Sequence, residues 1–292
     1  MGIAFTLASC GGGGGGTEEA TAPSGESTES APAEESSPAP AGETKLVIKG
    51  SDTLGAKMVP QLAEAYKAAG HEVSFEIAAE GSSTAFTNLI AGTAEIGMSS
   101  RDIKDSEKDE FTAKGMEVKD WTAAYDMIGV IVNSSNSVTN LTLEQIEGIF
   151  TGDIKDWSEV GGAAGAISVY TRNTSSGTYK SFQEMAMNER DYGADTQKMA
   201  GNEQIAAEVG KNPAGIGYVG LAYTHAEGIK AISVNGVALD PKKAKEYPIS
   251  RSLHYYTVEG KLSDGGKAFL EWATTDPAAG VVVDRVGFIV AE

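Results

Sequence analysis

The residues whose types and spacing best suit ligand binding lie in the segment 171–178, Thr-Arg-Asn-Thr-Ser-Ser-Gly-Thr. The preceding segment 167–170 alternates apolar and polar residues like a short strand, and apolar residues recur at helical spacing afterwards. The segment therefore joins a strand to a helix N-terminus, where unpaired backbone N–H groups favour an anion. Arg172 adds a planar fork of donors that matches an oxyanion. Alternatively, Ser175 or Ser176 caps the helix, and the two roles are compatible.

Three further loops rich in hydroxyl groups follow predicted strands, at residues 50–53, 81–84 and 99–101. The strands alternate with predicted helices, and this βαβαβ order implies a parallel sheet with helices on its faces. Ligands of such sheets bind beyond the carboxyl ends of the strands. We therefore predict an α/β fold in which the three loops converge on one site.

The remaining pattern indicates two α/β units, the second beginning near residue 127 with an unbroken apolar strand over 127–132. A helix is predicted over 54–69, starting late or kinked at Pro60. The C-terminal piece is too short to stand alone and is expected to complete the first unit. Further strands are predicted at 46–48, 73–77, 95–98, 214–219 and 247–251, and further helices at 142–150, 203–209 and 267–273.

Composition excludes several classes of protein. The net charge of −18 and the lack of basic clusters argue against nucleic-acid binding. No apolar run is long enough for a transmembrane helix. The single cysteine, Cys10, leaves no internal disulfide and no cysteine-based zinc site. A small anionic ligand remains compatible, because such sites depend on local dipoles and one or two fixed charges.

Catalytic signatures are also missing from the sequence. His71, His225 and His254 lie outside the glycine- and serine-rich loops, which argues against a hydrolase. The segment 176–181 lacks the Gly-Lys-Ser/Thr pairing of a nucleotide-binding P-loop. We therefore predict a binding protein, not an enzyme, with no cofactor and no metal.

The N-terminal segment predicts a membrane anchor. Residues 7–10, Leu-Ala-Ser-Cys, resemble the lipobox of bacterial lipoproteins, in which the cysteine carries the lipid. The apolar stretch within residues 1–10 is short and lacks a preceding Lys or Arg, so we interpret it as a truncated signal remnant. An ordinary or tag-derived Cys10 is the alternative. Residues 11–43, with seven glutamates and no basic or aromatic residue, form an acidic tether with a reach of roughly 30 Å.

Six motifs in order give a more specific resemblance, which covers residues 45 to 292. They are Gly50-Ser51-Asp52-Thr53, Gly81-Ser82-Ser83, Ile96-Gly97-Met98-Ser99-Ser100-Arg101, the segment 141–152 with Trp157, Arg172 with Ser176-Gly177-Thr178, and Gly215-Ile216-Gly217-Tyr218. The chain resembles the substrate-binding proteins of the phosphate-specific ABC transporter (PstS-type), which have the type II periplasmic-binding-protein fold.

The resemblance implies two lobes, each a mainly parallel sheet flanked by helices, joined by two crossing strands and closing on one phosphate. Lobe 1 would comprise 44–125 with 254–292, and lobe 2 would comprise 126–253. It further implies an ABC permease as partner, a monomer, and a location at the cell surface or in the periplasm. The predicted phosphate-binding residues are Ser51, Thr53, Leu54, Ser82, Ser100, Arg101, Asp126, Arg172, Ser176, Gly177 and Thr178.

One position departs from the family pattern. Many members carry an aspartate after the Ile-Gly-x-Ser segment, and this aspartate accepts the proton of hydrogen phosphate, which sulfate lacks. Here the position is Ser100. Either selectivity is weaker, or another carboxylate takes the role: Asp126 is the first candidate, with Asp52 and Asp102 as fallbacks. Alternatively, Asp126 is a solvated strand-end carboxylate and Arg101 forms a structural salt bridge.

Two other functions fit the same residues. One is a binding protein for another tetrahedral oxyanion, such as sulfate, molybdate or tungstate. The other is a surface adhesin or signalling receptor that uses the fold without transport.

Overall fold

A computed structural model describes residues 44–291 of the chain, so Cys10 and the predicted tether 11–43 lie outside the described residues. The strands are β1 (Thr44–Gly50), β2 (Val73–Ala79), β3 (Ile96–Ser99), β4 (Val118–Asn133), β5 (Asn140–Leu141), β6 (Ser168–Arg172), β7 (Gln197–Met199), β8 (Gly215–Gly220), β9 (Ile229–Ala231), β10 (Ser233–Val234) and β11 (Ser250–Val258). The helices are α1 (Asp52–Gly55), α2 (Met58–Ala68), α3 (Ser82–Ala91), α4 (Asp105–Ala113), α5 (Leu143–Thr151), α6 (Gly177–Ala186), α7 (Asn202–Lys211), α8 (Asp264–Thr275) and α9 (Pro277–Arg285).

Nine strands form one mixed sheet in the order β2-β1-β3-β11-β4-β8-β6-β7, with β9 also paired to β4. At one end β1 pairs in parallel with β2 and β3, and at the other β6 pairs in parallel with β7 and β8. The central strands β11 and β4 run antiparallel to each other and to their outer neighbours. We call the part with β1–β3 the first lobe and the part with β5–β10 the second lobe.

The long strand β4 carries the chain from the first lobe to the second, and β11 brings it back. Along β4, the partner changes from β11 at Met127 to β8 at Ile128. On the basis of this change of partner, and of the β11–β3 pairing that involves His254, we propose lobe boundaries near residues 126 and 253.

Two large apolar clusters lie beneath the helices. All fully buried members of one cluster come from residues 127–249, and they include Phe150, Phe182 and Tyr218. The other contains β1, β3, α2, α8 and α9, so the C-terminal helices pack against the first lobe as expected. This second cluster extends to Ile205 and Val219, which means that apolar burial also holds the two lobes together.

Several predicted elements have different boundaries in the structure. The predicted helix over 54–69 is divided into α1 and α2, and Pro60 is the third residue of α2, where its missing N–H costs no helical bond. The strand predicted at 247–251 begins at Ser250, because Pro248 has no N–H for the ladder. Helices α4 and α9 were not predicted, and α4 buries only Phe111 fully.

Candidate functional site

The first loop of the site joins β1 to α1. Ser51 Oγ accepts a hydrogen bond of 3.2 Å from the Thr53 N–H and so caps α1. Thr53 and Leu54 are buried, and Thr53 Oγ1 lies 2.9 Å from Thr178 Oγ1 at the start of α6. The first loop therefore reaches the second lobe through a pair of hydroxyl groups.

The loops after β2 and β3 are joined by two serines. The Ser100 N–H donates to Ser82 Oγ at 3.0 Å, and the two hydroxyl oxygens lie 3.2 Å apart. Ser100 Oγ is also 3.5 Å from Thr178 Oγ1. Both serines are buried. The predicted convergence of the hydroxyl-rich loops is therefore present in the structure.

The N-terminus of α6 faces these serines from the second lobe. Ser176 caps α6, since its Oγ accepts the Tyr179 N–H at 3.2 Å. Gly177 follows, and a Cβ placed there would lie 2.3 Å from Ser82 Oγ and 2.7 Å from Ser100 Oγ. Such distances are shorter than van der Waals contact, so only glycine permits this approach of the lobes. We call the set Ser51, Thr53, Ser82, Ser100, Ser176 and Thr178 the hydroxyl cluster.

Arg172 is a buried cation of the second lobe that reaches the first loop. It ends β6 and is 1% exposed. Its Nη2 donates to the Ala200 carbonyl at 2.7 Å, and its Nη1 lies 3.3 Å from Asp52 Oδ2. Within residues 44–291, its buried Nε and Nη1 find no hydrogen-bond acceptor. Burial lowers the pKa of the Arg172 guanidinium, and the Asp52 carboxylate opposes that shift. A bound anion would stabilise the charge further.

Arg101, a predicted ligand, does not join the hydroxyl cluster. Its two terminal nitrogens bind both Glu107 carboxylate oxygens, at 2.8 and 2.6 Å, and its Nη2 also donates to Ser83 Oγ. The Glu107 side chain is 14% exposed, so this bidentate pair is largely buried. Arg101 therefore forms a structural salt bridge, which was the alternative to ligand binding. This salt bridge holds α4 against the loop after β3.

Asp126, the first candidate for proton acceptor, is also engaged elsewhere. It is completely buried, opposite Arg251 in the β4–β11 register. Its Oδ2 accepts from Arg251 Nε at 3.1 Å and Nη2 at 2.7 Å, and its Oδ1 accepts from the Leu221 N–H at 3.0 Å. Asp126 is therefore not solvated, and both of its carboxylate oxygens already accept hydrogen bonds within the protein. It ties the crossing strands to the second lobe.

Asp126→Asn is therefore expected to reduce stability and not selectivity. The free energy of unfolding should fall by about 3 kcal/mol, because Arg251 would lose its buried charge partner. Denaturant unfolding measures this change, and calorimetry with phosphate and sulfate measures selectivity. Asp153→Asn is the control, since it makes the same change in an exposed pair with Arg190 and should cost less than about 1 kcal/mol. A fall in the phosphate-to-sulfate affinity ratio for Asp126→Asn would return the proton-accepting role to that residue.

The two fallback carboxylates differ in their placement. The Asp102 side chain is 86% exposed and contacts His254 Nε2 at 3.0 Å, so it lies away from the hydroxyl cluster. His254 Nδ1 lies 2.8 Å from Asp120 Oδ1, and its Nε2 lies 2.8 Å from Ser252 Oγ as well as near Asp102. Asp52, by contrast, lies directly against Arg172 and is the carboxylate that the structure brings to the site.

Three site residues were not predicted. Asn202, the first residue of α7, binds Asp52 and Thr53. The Tyr223 hydroxyl donates to the Thr53 carbonyl at 3.0 Å, and Lys57 Nζ donates to the Ala222 carbonyl at 2.9 Å and lies 4.2 Å from the Tyr223 ring. All these contacts join the first lobe to the second. No local sequence signal marks these residues, because each acts across the lobe boundary.

Comparison with known proteins gives the family. The model of the PBP superfamily domain matches residues 26–277. The phosphate-binding protein PstS of Pseudomonas aeruginosa is 33% identical over 233 residues, covering 71% of this chain and 70% of that protein. PstS of Staphylococcus saprophyticus is 30% identical over 262 residues, covering 85% of this chain and 81% of that protein. The chain belongs to the PstS family of phosphate-binding proteins.

A solved structure extends this likeness to the fold. A phosphate ABC transporter substrate-binding protein from Clostridium perfringens, with bound phosphate, is 33% identical with a TM-score of 0.78. The structural match covers 85% of this chain and 100% of the Clostridium perfringens chain. The two-lobed α/β fold expected for the family is thereby confirmed. No helix among residues 44–291 is both long and apolar enough to cross a membrane.

Proposed function

We propose that this PstS-family chain captures inorganic phosphate between its lobes outside the cytoplasm and delivers it to an ABC permease for import. One observation carries the proposal. A buried guanidinium, Arg172, has two nitrogens, Nε and Nη1, without a hydrogen-bond acceptor among the described residues, and its Nη1 lies 3.3 Å from the carboxylate of Asp52, the residue before Thr53 of the hydroxyl cluster. A tetrahedral oxyanion is a ligand that satisfies such donors from several directions at once.

The donor set is sufficient for tight binding. Hydrogen bonds to a charged group contribute about 1.5–3 kcal/mol each, so several exceed the roughly 8 kcal/mol of a micromolar site. The N-terminus of the ten-residue helix α3 adds the positive end of its dipole, while the Ser83 N–H already donates to the Ser175 carbonyl at 3.1 Å. We propose Ser51, Thr53, Leu54, Ser82, Ser100, Arg172, Ser176, Gly177 and Thr178 as the ligand set, without Arg101 and Asp126.

Selectivity follows from the acceptors that face the ligand. Each hydroxyl can donate to a phosphate oxygen or accept the phosphate proton, whereas a carboxylate can only accept. At Ser100, where many relatives have an aspartate, a neutral hydroxyl is the acceptor. Neutral acceptors form weaker hydrogen bonds than carboxylates. We infer that phosphate is preferred over sulfate, but by less than a carboxylate would permit.

Calorimetric titration with phosphate and sulfate tests this function. We expect phosphate to bind about 10- to 100-fold more tightly than sulfate, which is the difference that one neutral hydrogen bond and its desolvation provide. Equal affinities would support the alternative of a general tetrahedral-oxyanion protein, and molybdate should then be titrated as well. Ser100→Asp should widen the preference for phosphate if the hydroxyl accepts the proton. No binding of either anion would reject the proposal.

The predicted anchor completes the proposed function. We propose that a lipid on Cys10 attaches the chain to the bacterial membrane and that residues 11–43 tether the binding domain. Without the seven glutamates of that segment, the net charge of −18 becomes −11, so the binding domain is itself acidic. We propose that it acts as a monomer and docks to the permease through specific contacts and not through overall charge.

A further inference from the structure

Asn202 occupies a position at which three parts of the site meet. It is completely buried, and both polar atoms of its side chain are bonded. Its Nδ2 donates to Asp52 Oδ2 at 2.7 Å and lies 3.3 Å from Thr53 Oγ1, and its Oδ1 accepts the Gly220 N–H at 3.1 Å. One amide thus links the first loop to the end of β8.

Asp52 is the matching group on the first lobe. Its Oδ2 accepts from both the backbone N–H and the side chain of Asn202, at 3.0 and 2.7 Å. The same oxygen lies 3.3 Å from Arg172 Nη1. Close approach depends on Gly201, because a Cβ there would lie 3.0 Å from Asp52 Oδ1. The carboxylate therefore contacts two residues of the second lobe, Asn202 and Arg172, of which Arg172 belongs to the proposed ligand set.

The partners in these contacts belong to different lobes, so the contacts form only when the lobes are closed. Asp52 follows β1 in the first lobe, whereas in the second lobe Arg172 ends β6 and Asn202 follows β7. Separation of the lobes would break the contacts among them together. Their bond energy therefore stabilises the closed arrangement and does not depend on direct contact with the ligand.

We propose that Asn202 and Asp52 form a positioning pair that aligns Arg172 and the Thr53 hydroxyl when the lobes close. This inference rests on the proposed function, since phosphate is the ligand whose residence time the pair controls. Neither residue of the pair is assigned a contact with phosphate. Loss of the pair should accelerate opening and ligand release, whereas diffusion of phosphate into the open cleft should change little.

An exchange of donor and acceptor tests the pair. Asn202→Asp places a second carboxylate against Asp52 and should raise the phosphate dissociation rate about tenfold, as expected for coupled neighbours, with little change in association rate. The double variant Asp52→Asn, Asn202→Asp restores one amide and one carboxylate and should recover most of the residence time. Stopped-flow kinetics measures both rates. Asn140→Asp, which adds the same charge at an exposed position of the second lobe, is the control.

The outcomes separate this inference from the proposed function. An unchanged dissociation rate in Asn202→Asp, or a double variant no better than that single variant, overturns the positioning pair. If the unsubstituted protein binds no phosphate, the proposed function fails instead. The pair is then tested by thermal unfolding of the two single variants and the double variant. If the loss of melting temperature in the double variant equals the sum of the losses in the two single variants, the positioning pair is overturned. A loss smaller than that sum supports the pair.

Discussion

Arg172→Ala is expected to weaken phosphate binding by at least about 100-fold, or roughly 3 kcal/mol, because it removes a buried full charge and its donors from the anion. Arg172 is almost completely buried, so water cannot replace the lost donors. Arg172→Lys should bind with intermediate affinity, since it retains a positive charge but not the planar fork. Calorimetry gives both dissociation constants.

The control for this prediction is Arg190→Ala. Arg190 is half-exposed and pairs with Glu147 and Asp153 on the surface of the second lobe. Its removal should leave phosphate affinity nearly unchanged, because exposed charge pairs are screened by solvent. An Arg172→Ala protein that unfolds normally and binds phosphate like the control would remove Arg172 from the site, and with it the main argument for anion binding.

Gly177→Ala is the substitution with the second large expected effect. Its methyl group would lie 2.3 Å from Ser82 Oγ and 2.7 Å from Ser100 Oγ across the lobe interface. The lobes could then close only if these loops moved, which would separate the first-lobe hydroxyl groups of Thr53, Ser82 and Ser100 from Arg172 and Thr178. We expect phosphate affinity to fall by about 30- to 100-fold, as overpacking of a close contact typically costs 1–3 kcal/mol.

The Gly177→Ala effect should appear in binding and not in folding. Alanine favours helices, so helix α6 itself should form normally. Gly280→Ala in α9 is the matched control, because its Cβ would meet only Val290, at an ordinary distance of 3.5 Å. Small-angle scattering should show the ligand-induced decrease in radius of gyration for the control and a smaller decrease for Gly177→Ala. Full closure and unchanged affinity in Gly177→Ala would show that the lobes meet elsewhere.

The sequence determined the local elements of the site. Arg172 and the segment 176–178 lie at the end of a strand and the start of a helix, as predicted from apolar spacing and capping residues. The loops that contain Thr53, Ser82 and Ser100 also follow strands as predicted. Such features are local, because strand alternation, helix capping and glycine turns depend on residues only a few positions apart.

Helix α4 shows where local pattern failed within the fold. Its nine residues, 105–113, are mostly charged, and Phe111 alone is fully buried. The sequence therefore lacks the apolar stripe from which an amphipathic helix is predicted. Its place is fixed from outside, by the ion pair between Glu107 and Arg101. Tertiary contact compensated for a weak local signal.

Partner choice among the charged residues was decided only by the tertiary structure. Asp126 and Arg101 are residue types that suit a phosphate site. However, the strand register pairs Asp126 with Arg251, and the position of α4 pairs Arg101 with Glu107. Asn202 and Asp52 are 150 positions apart and meet only because the lobes close. A sequence determines which groups can donate or accept, since that is a property of each side chain. Which donor meets which acceptor depends on register and lobe packing, and these are properties of the folded whole.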